Sequence, residues 1–73
     1  MTLNDAPLGM RVRIHALTSR PEISTRLREL GFCENAIVRC LTRGYGNIIC
    51  EVYNTRVGLN SGLAGGIHVS QCE

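Results

Sequence analysis

Between Met10 and Ala16 apolar and polar residues alternate strictly; within a few residues the pattern changes to one of three to four residues. Alternation is the period of a strand with one face on a core. Met10, Val12, Ile14 and Ala16 are expected inward, and Arg11, Arg13 and His15 outward. The second period marks a helix. Ser19-Arg20-Pro21-Glu22 reads as a capping box, with the Ser19 hydroxyl accepting from the Glu22 amide and Pro21 in the first turn. Ile23, Leu27 and Leu30 form one apolar stripe, and Gly31 follows where a helix takes a left-handed residue. The spacing predicts a helix over 21–30, with Phe32 packing just past its end.

After the helix the chain reads as strands. Cys33-Glu34-Asn35 is a turn, with Asn35 suited to positive φ. Residues 36–43 form a second strand with Val38 and Cys40 inward. Gly44-Tyr45-Gly46-Asn47 is a loop. Residues 48–53 form a third strand with Ile48, Cys50 and Val52 on one face. Asn54-Thr55 makes a tight hairpin into a short fourth strand over 56–59. Residues 60–64 suit a single helical turn, and 66–71 a last strand with Ile67 and Val69 alternating against His68 and Ser70. The fold class is mostly β: a small five-stranded barrel with one short helix inserted after strand one.

At 73 residues, one domain spanning 1–73 is expected, because two cores would not fit. So small a core gives modest stability and leaves self-association open. No apolar run approaches the ~20 residues of a membrane span. The first residues carry no basic region followed by an apolar stretch, so the expected compartment is the cytosol, with no direct membrane insertion.

All eight basic residues are Arg, which removes any lysine nucleophile or P-loop lysine. They are interleaved with six acids along the chain, and the net charge is only +2. That pattern, with three aromatics, argues against a nucleic-acid partner. No G-x-S-x-G occurs, and the single Asp, Asp5, lies in an expected tail. A barrel this small is also expected to lack a cleft of ~300 Å³ or more. The chain therefore does not read as an enzyme.

Cys33, Cys40, Cys50 and Cys72 are separated by 7, 10 and 22 positions, without the close-spaced pairs of a structural zinc site. Disulfides are not expected in a reducing cytosol. Strand parity assigns Cys40 and Cys50 to the core, where Cys behaves as a small hydrophobe. Cys33 and Cys72 are expected to be exposed. His15 and His68 lie on outward faces of the first and last strands, which can be neighbours. Cys33, Cys72, His15 and His68 are the candidate ligands for a borderline metal.

The order of motifs resembles the ferrous-iron transport protein A (FeoA) family. Arg26-Leu27-Arg28-Glu29-Leu30-Gly31-Phe32 is similar to that family's R-L-x-x-L-G-L signature. Cys33-Glu34-Asn35-Ala36-Ile37-Val38 sits where it has x-P-G-x-x-V, with Asn35 in place of glycine at the turn. Asn54 to Leu59 resembles G-x-x-(V/I/L)-x-L, and Ala64 to Val69 resembles A-x-x-I-x-V. Leu3 to Gly9 is similar to L-x-x-x-P-x-G. The family fills the Cys40 and Cys50 positions with aliphatic residues. The resemblance implies an SH3-like barrel and a cytosolic accessory of ferrous-iron uptake that docks on the cytosolic domain of the FeoB iron permease. It implies no certain cofactor. The alternative is a sensor or carrier that binds Fe(II) or Zn through Cys and His.

Hot spots favour Tyr and Arg, and loops on a rigid scaffold carry binding residues. Arg43, Tyr45 and Ile49 are therefore expected to form one contact surface, unless Tyr45 folds back over the barrel end. Arg26 and Arg28 on the helix are a second candidate surface, with Glu22 placed to pair with Arg26 at i, i+4.

Overall fold

A computed structural model describes residues 1–72. After a short 3₁₀ turn at Leu3–Asp5, the elements are β1 (Arg11–Leu17), α1 (Pro21–Glu29), β2 (Ile37–Gly44), β3 (Asn47–Val52), β4 (Thr55–Asn60), α2 (Ser61–Ala64) and β5 (Ile67–Gln71). The five strands form one antiparallel sheet in the order β4-β3-β2-β1-β5. The mostly β, SH3-like class expected from the sequence is thus observed, and the first and last strands are direct neighbours.

Helix α1 begins at Pro21, one residue later than a capping box at Ser19 requires. Arg20 is the N-cap and makes no side-chain capping bond. Ser19 therefore lies outside the helix, and its carbonyl instead accepts from the buried Ser24 hydroxyl at 3.1 Å. The C-terminal end follows the expected pattern. Gly31 takes φ +105°, and Phe32 is completely buried beyond it. Asn35 adopts φ 74°, and its amide donates to the Ile14 carbonyl at 2.7 Å, which ties the turn to β1.

Two register shifts decide which side chains face the core. In β1 the pairing with β5 shifts between Ile14 and Ala16, leaving His15 as the extra residue. Parity resets there, since directly opposed residues share a face. Leu17, opposite the buried Ile67, packs on the core in place of the expected Ala16, which pairs with His68. In β2 the shift lies between Cys40 and Thr42. Val38, Cys40, Ile48, Cys50 and Val52 keep their expected inward positions and are buried.

One hairpin is tighter than the sequence suggested, and the other is displaced by one residue. Tyr45 and Gly46 form a two-residue turn, with φ of 49° and 80°, and Gly44 and Asn47 already pair across it. The next turn is Tyr53-Asn54, φ 50° and 60°, one residue earlier than Asn54-Thr55. Two successive positive φ values mark a turn whose twist matches that of the flanking strands.

The N-terminal residues are not a tail. Leu3 and Ala6 are fully buried, and Thr2 bridges to His68. Asp5 accepts from the Thr2 amide and hydroxyl at 3.3 and 3.2 Å in the 3₁₀ turn. Leu3 belongs to the same apolar cluster as Phe32, Ile14 and Ile48. Leu3→Ala is expected to lower stability by ~2–4 kcal/mol, as for other buried leucines. Urea denaturation checks this; a loss under ~1 kcal/mol would mean that the segment contributes little to the core.

Candidate functional site

The β2–β3 hairpin presents the most exposed aromatic. Tyr45 lies fully in solvent, so it does not fold back over the end of the sheet. A left-handed conformation costs a non-glycine residue ~1–2 kcal/mol, so something else in the turn must hold Tyr45 there. The Gly46 carbonyl accepts from the Ser61 amide at 2.7 Å, and Asn60 pairs with Asn47 across β3 and β4. The α2 turn is itself capped by the Asn60 side chain, which accepts from the Leu63 amide at 2.8 Å. A rigid support therefore stands behind the Tyr45 tip.

Arg43 behaves differently from the expected contact residue. The register shift in β2 makes it the partner of Ile48, on the inner face, whereas Thr42 pairs with Ile49 on the outer face. The expectation that Arg43 and Ile49 share one surface is therefore corrected: they lie on opposite faces of the sheet. Arg43 reaches over the sheet end, and its Nη2 donates to the Ala6 carbonyl at 2.6 Å and the Leu3 carbonyl at 3.5 Å. Arg43 still lines a hollow of about 260 Å³ together with Tyr45, Asn4, Asn47 and Ser61. Sequence reasoning missed Asn4, whose Nδ2 donates to the Ser61 carbonyl at 2.8 Å.

Ile49 lines a separate apolar groove of about 460 Å³ with Leu41, Thr42, Arg56 and Gly58. Opposite Ile49, Gly58 supplies no side chain, which leaves the groove open. A third hollow, about 600 Å³, runs between Arg11, Asn35, Arg39, Glu51 and Tyr53. It is larger than expected for a chain of this size. Within it Arg39 Nη2 donates to Glu51 Oε1 at 2.9 Å.

The two helical arginines are exposed. Arg26 pairs with Glu29 at 4.0 Å rather than with Glu22. Arg28 donates to both carboxylate oxygens of Glu34, at 3.2 and 3.0 Å. That hydrogen bond, with the guanidinium charge, holds the Glu34 carboxyl below the usual carboxylate range and raises the Arg28 guanidinium.

The candidate metal ligands are only partly brought together. His15, exposed at the β1 shift, and His68 on β5 place their ring centroids 6.3 Å apart. Thr18 Oγ1 lies 3.1 Å from His68 Nε2. Cys33 is half-buried rather than exposed, since it packs on the core beyond α1. Its thiol lies 3.8 Å from the Gly31 carbonyl and 3.7 Å from Tyr53 Oη. Contact with Cys33 raises the Tyr53 phenol. Cys72 is also half-buried, beyond β5, where its amide donates to the Arg11 carbonyl at 3.1 Å. Among the described residues, no three His, Cys, Asp or Glu side chains converge as a metal site.

A model of the FeoA domain matches residues 1–71. The chain belongs to the FeoA family. Ferrous-iron transport is the process with which FeoA proteins are associated. Solved FeoA proteins share its fold. One from Stenotrophomonas maltophilia, complexed with zinc, is described as a prokaryotic SH3 domain protein with a suggested role as a ferrous-iron transport activating factor. It is 28% identical, with a TM-score of 0.84, and the match covers 96% of this chain and 89% of that one. The FeoA protein of Chlorobium tepidum is 22% identical, with a TM-score of 0.89, over 100% of this chain and 71% of its own. Iron(II) transport protein A of Clostridium thermocellum is 23% identical, with a TM-score of 0.89, over 97% of this chain but only 45% of its own. No curated protein matches the FeoA chain by sequence. No helix among its described residues is long and apolar enough to cross a membrane.

The Arg28–Glu34 pair sets a pH dependence. Because the folded-state value of Glu34 is lowered, its stabilisation is complete above the ordinary glutamate value and is lost as the pH falls through the lowered one. Glu34→Gln should flatten that part of the acid limb of a stability–pH curve, as should high salt. An unchanged acid limb would show that this exposed bridge is broken in solution.

Proposed function

We propose that this chain is a small, non-enzymatic accessory of ferrous-iron uptake that works in the cytoplasm. In this reading it docks on the cytosolic domain of the FeoB permease and modulates it. The observation that carries the proposal is the Tyr45 turn: a bulky aromatic held fully in solvent at positive φ on a braced hairpin. A turn backbone already fixed in place loses little conformational freedom on binding, so more of the burial appears as affinity. Tyr is also among the residues that dominate interface energies. Family membership ties the chain to ferrous-iron transport, which supports a partner from that process. Arg43 acts in this surface by bracing the N-terminal segment beside the tip. Ile49 on the outer face and Arg26 on α1 are secondary contacts.

A pull-down or titration with the isolated cytosolic domain of the permease tests this reading. Tyr45→Asn places a residue that tolerates the left-handed region at the same turn. It is expected to keep or raise the unfolding midpoint while weakening binding at least tenfold, about 1.4 kcal/mol. Unchanged binding would remove the hairpin tip from the interface.

A second reading, a metal sensor or carrier, is favoured by the His15–His68 pair and by the zinc in the Stenotrophomonas maltophilia relative. Two adjacent imidazoles suit zinc or ferrous iron, with Cys33 or Cys72 as thiolate donors only if the chain rearranges or self-associates. In anaerobic titration, micromolar or tighter Zn(II) or Fe(II) binding that His15→Ala/His68→Ala abolishes is the expected result for this reading. Weaker binding, or binding indifferent to both histidines, would eliminate it.

A further inference from the structure

Two thiols meet inside the sheet, beneath the N-terminal segment that Arg43 clasps. Cys40 and Cys50 are directly opposed across β2 and β3, neither exposes any surface, and their sulfurs are 3.7 Å apart. Opposed residues of an antiparallel pair have Cα atoms about 4.5–5.5 Å apart. That lies within the ~4.4–6.8 Å that disulfides span, so side-chain rotation alone can bring the sulfurs to bonding distance. We infer that Cys40 and Cys50 are a peroxide-oxidisable dithiol, which closes to an intramolecular disulfide between β2 and β3.

The surroundings make the two thiols unlike. The Cys40 thiol lies 3.6 Å from the Leu3 carbonyl, and Arg43 Nη2 donates to that same oxygen at 3.5 Å. The hydrogen bond from Cys50 and the Arg43 charge favour the Cys40 thiolate, whereas that bond and burial push the Cys50 thiol up. The Arg43 guanidinium that meets Cys40 at the Leu3 carbonyl makes Cys40 the attacking sulfur and Cys50 the resolving one. The Cys40 thiol gives up its proton, and the thiolate attacks one oxygen of hydrogen peroxide. The O–O bond breaks, and a sulfenic acid forms while the departing hydroxide takes that proton and leaves as one water. Cys50 then gives up its proton and attacks the Cys40 sulfur, and the sulfenic oxygen leaves as a second water. Two thiols lose two electrons and two protons in all, and one peroxide becomes two waters.

Access runs through the N-terminal cover. The segment around Leu3 is held by the burial of Leu3 and Ala6, the Thr2–His68 bridge with the Val69 amide on the Met1 carbonyl, the Asn4 amide and the Arg43 clasp rather than by a strand ladder. Segments held by so few backbone bonds open locally far below the cost of global unfolding. Oxidation is therefore expected to be slow, and faster in Asn4→Ala, which loses the bond to Ser61.

The sequence makes the test clean. Cleavage after arginine puts the four cysteines on four peptides: 29–39, 40–43, 44–56 and 57–73. Reduced protein is treated with hydrogen peroxide, blocked with iodoacetamide in denaturant and digested without reductant. The expected product joins peptide 40–43 to peptide 44–56, leaves Cys33 and Cys72 alkylated, and reverts with dithiothreitol. The oxidised form should unfold at a higher urea concentration than the reduced one. Cys50→Val, which keeps an aliphatic side chain in the core, should instead accumulate a dimedone-reactive sulfenic acid at Cys40. Crosslinks through Cys33 or Cys72 alone, or four alkylated cysteines after prolonged peroxide, would overturn the proposal.

Discussion

Strand parity governs this structure, because a single small sheet has only one face to bury and each register shift exchanges inside for outside. The shift at His15 turns Leu17 onto the core and sets His15 beside His68. The shift after Cys40 keeps Ile48 and Cys50 inside while turning Arg43 inward as well. Arg43 remains exposed at the sheet end, and its guanidinium is satisfied there by the Leu3 and Ala6 carbonyls. The N-terminal segment, the open sheet end and the Tyr45 turn are thereby joined into one supported corner.

That corner links stability to the candidate interface. Leu3 and Ala6 complete the apolar cluster from one side, and α2 braces the hairpin from the other through Ser61. Both supports converge on Asn4, which bonds the Ser61 carbonyl. A turn supported in this way can hold Tyr45 in a conformation that an isolated hairpin would leave. The same cover lies over the Cys40–Cys50 pair, so access to the buried thiols and support of the exposed tip depend on one segment.

Family membership and mostly β architecture were legible because they rest on local signals. Alternation marked β1, the apolar stripe with Gly31 marked α1, and Asn35 marked the turn into β2. Inward positions in β2 and β3 also followed from parity up to Cys40. Beyond that residue the alternation rule failed for Arg43, since a one-residue shift leaves no compositional trace. The burial of Leu3 was equally hidden, because five residues without a period carry no pattern to read.

The sequence by itself determined the periods, the helix end at Gly31 and the identity of the family, all of which depend on residues close together in the chain. Only the tertiary structure decided which distant residues meet: Arg43 with Leu3 and Ala6, His15 with His68, and Cys40 with Cys50. Those meetings depend on strand register, and register is set by how the whole sheet buries its face. Cys40 and Cys50 show the division most clearly. Parity places each thiol in the core, but only the pairing of β2 with β3 places one opposite the other.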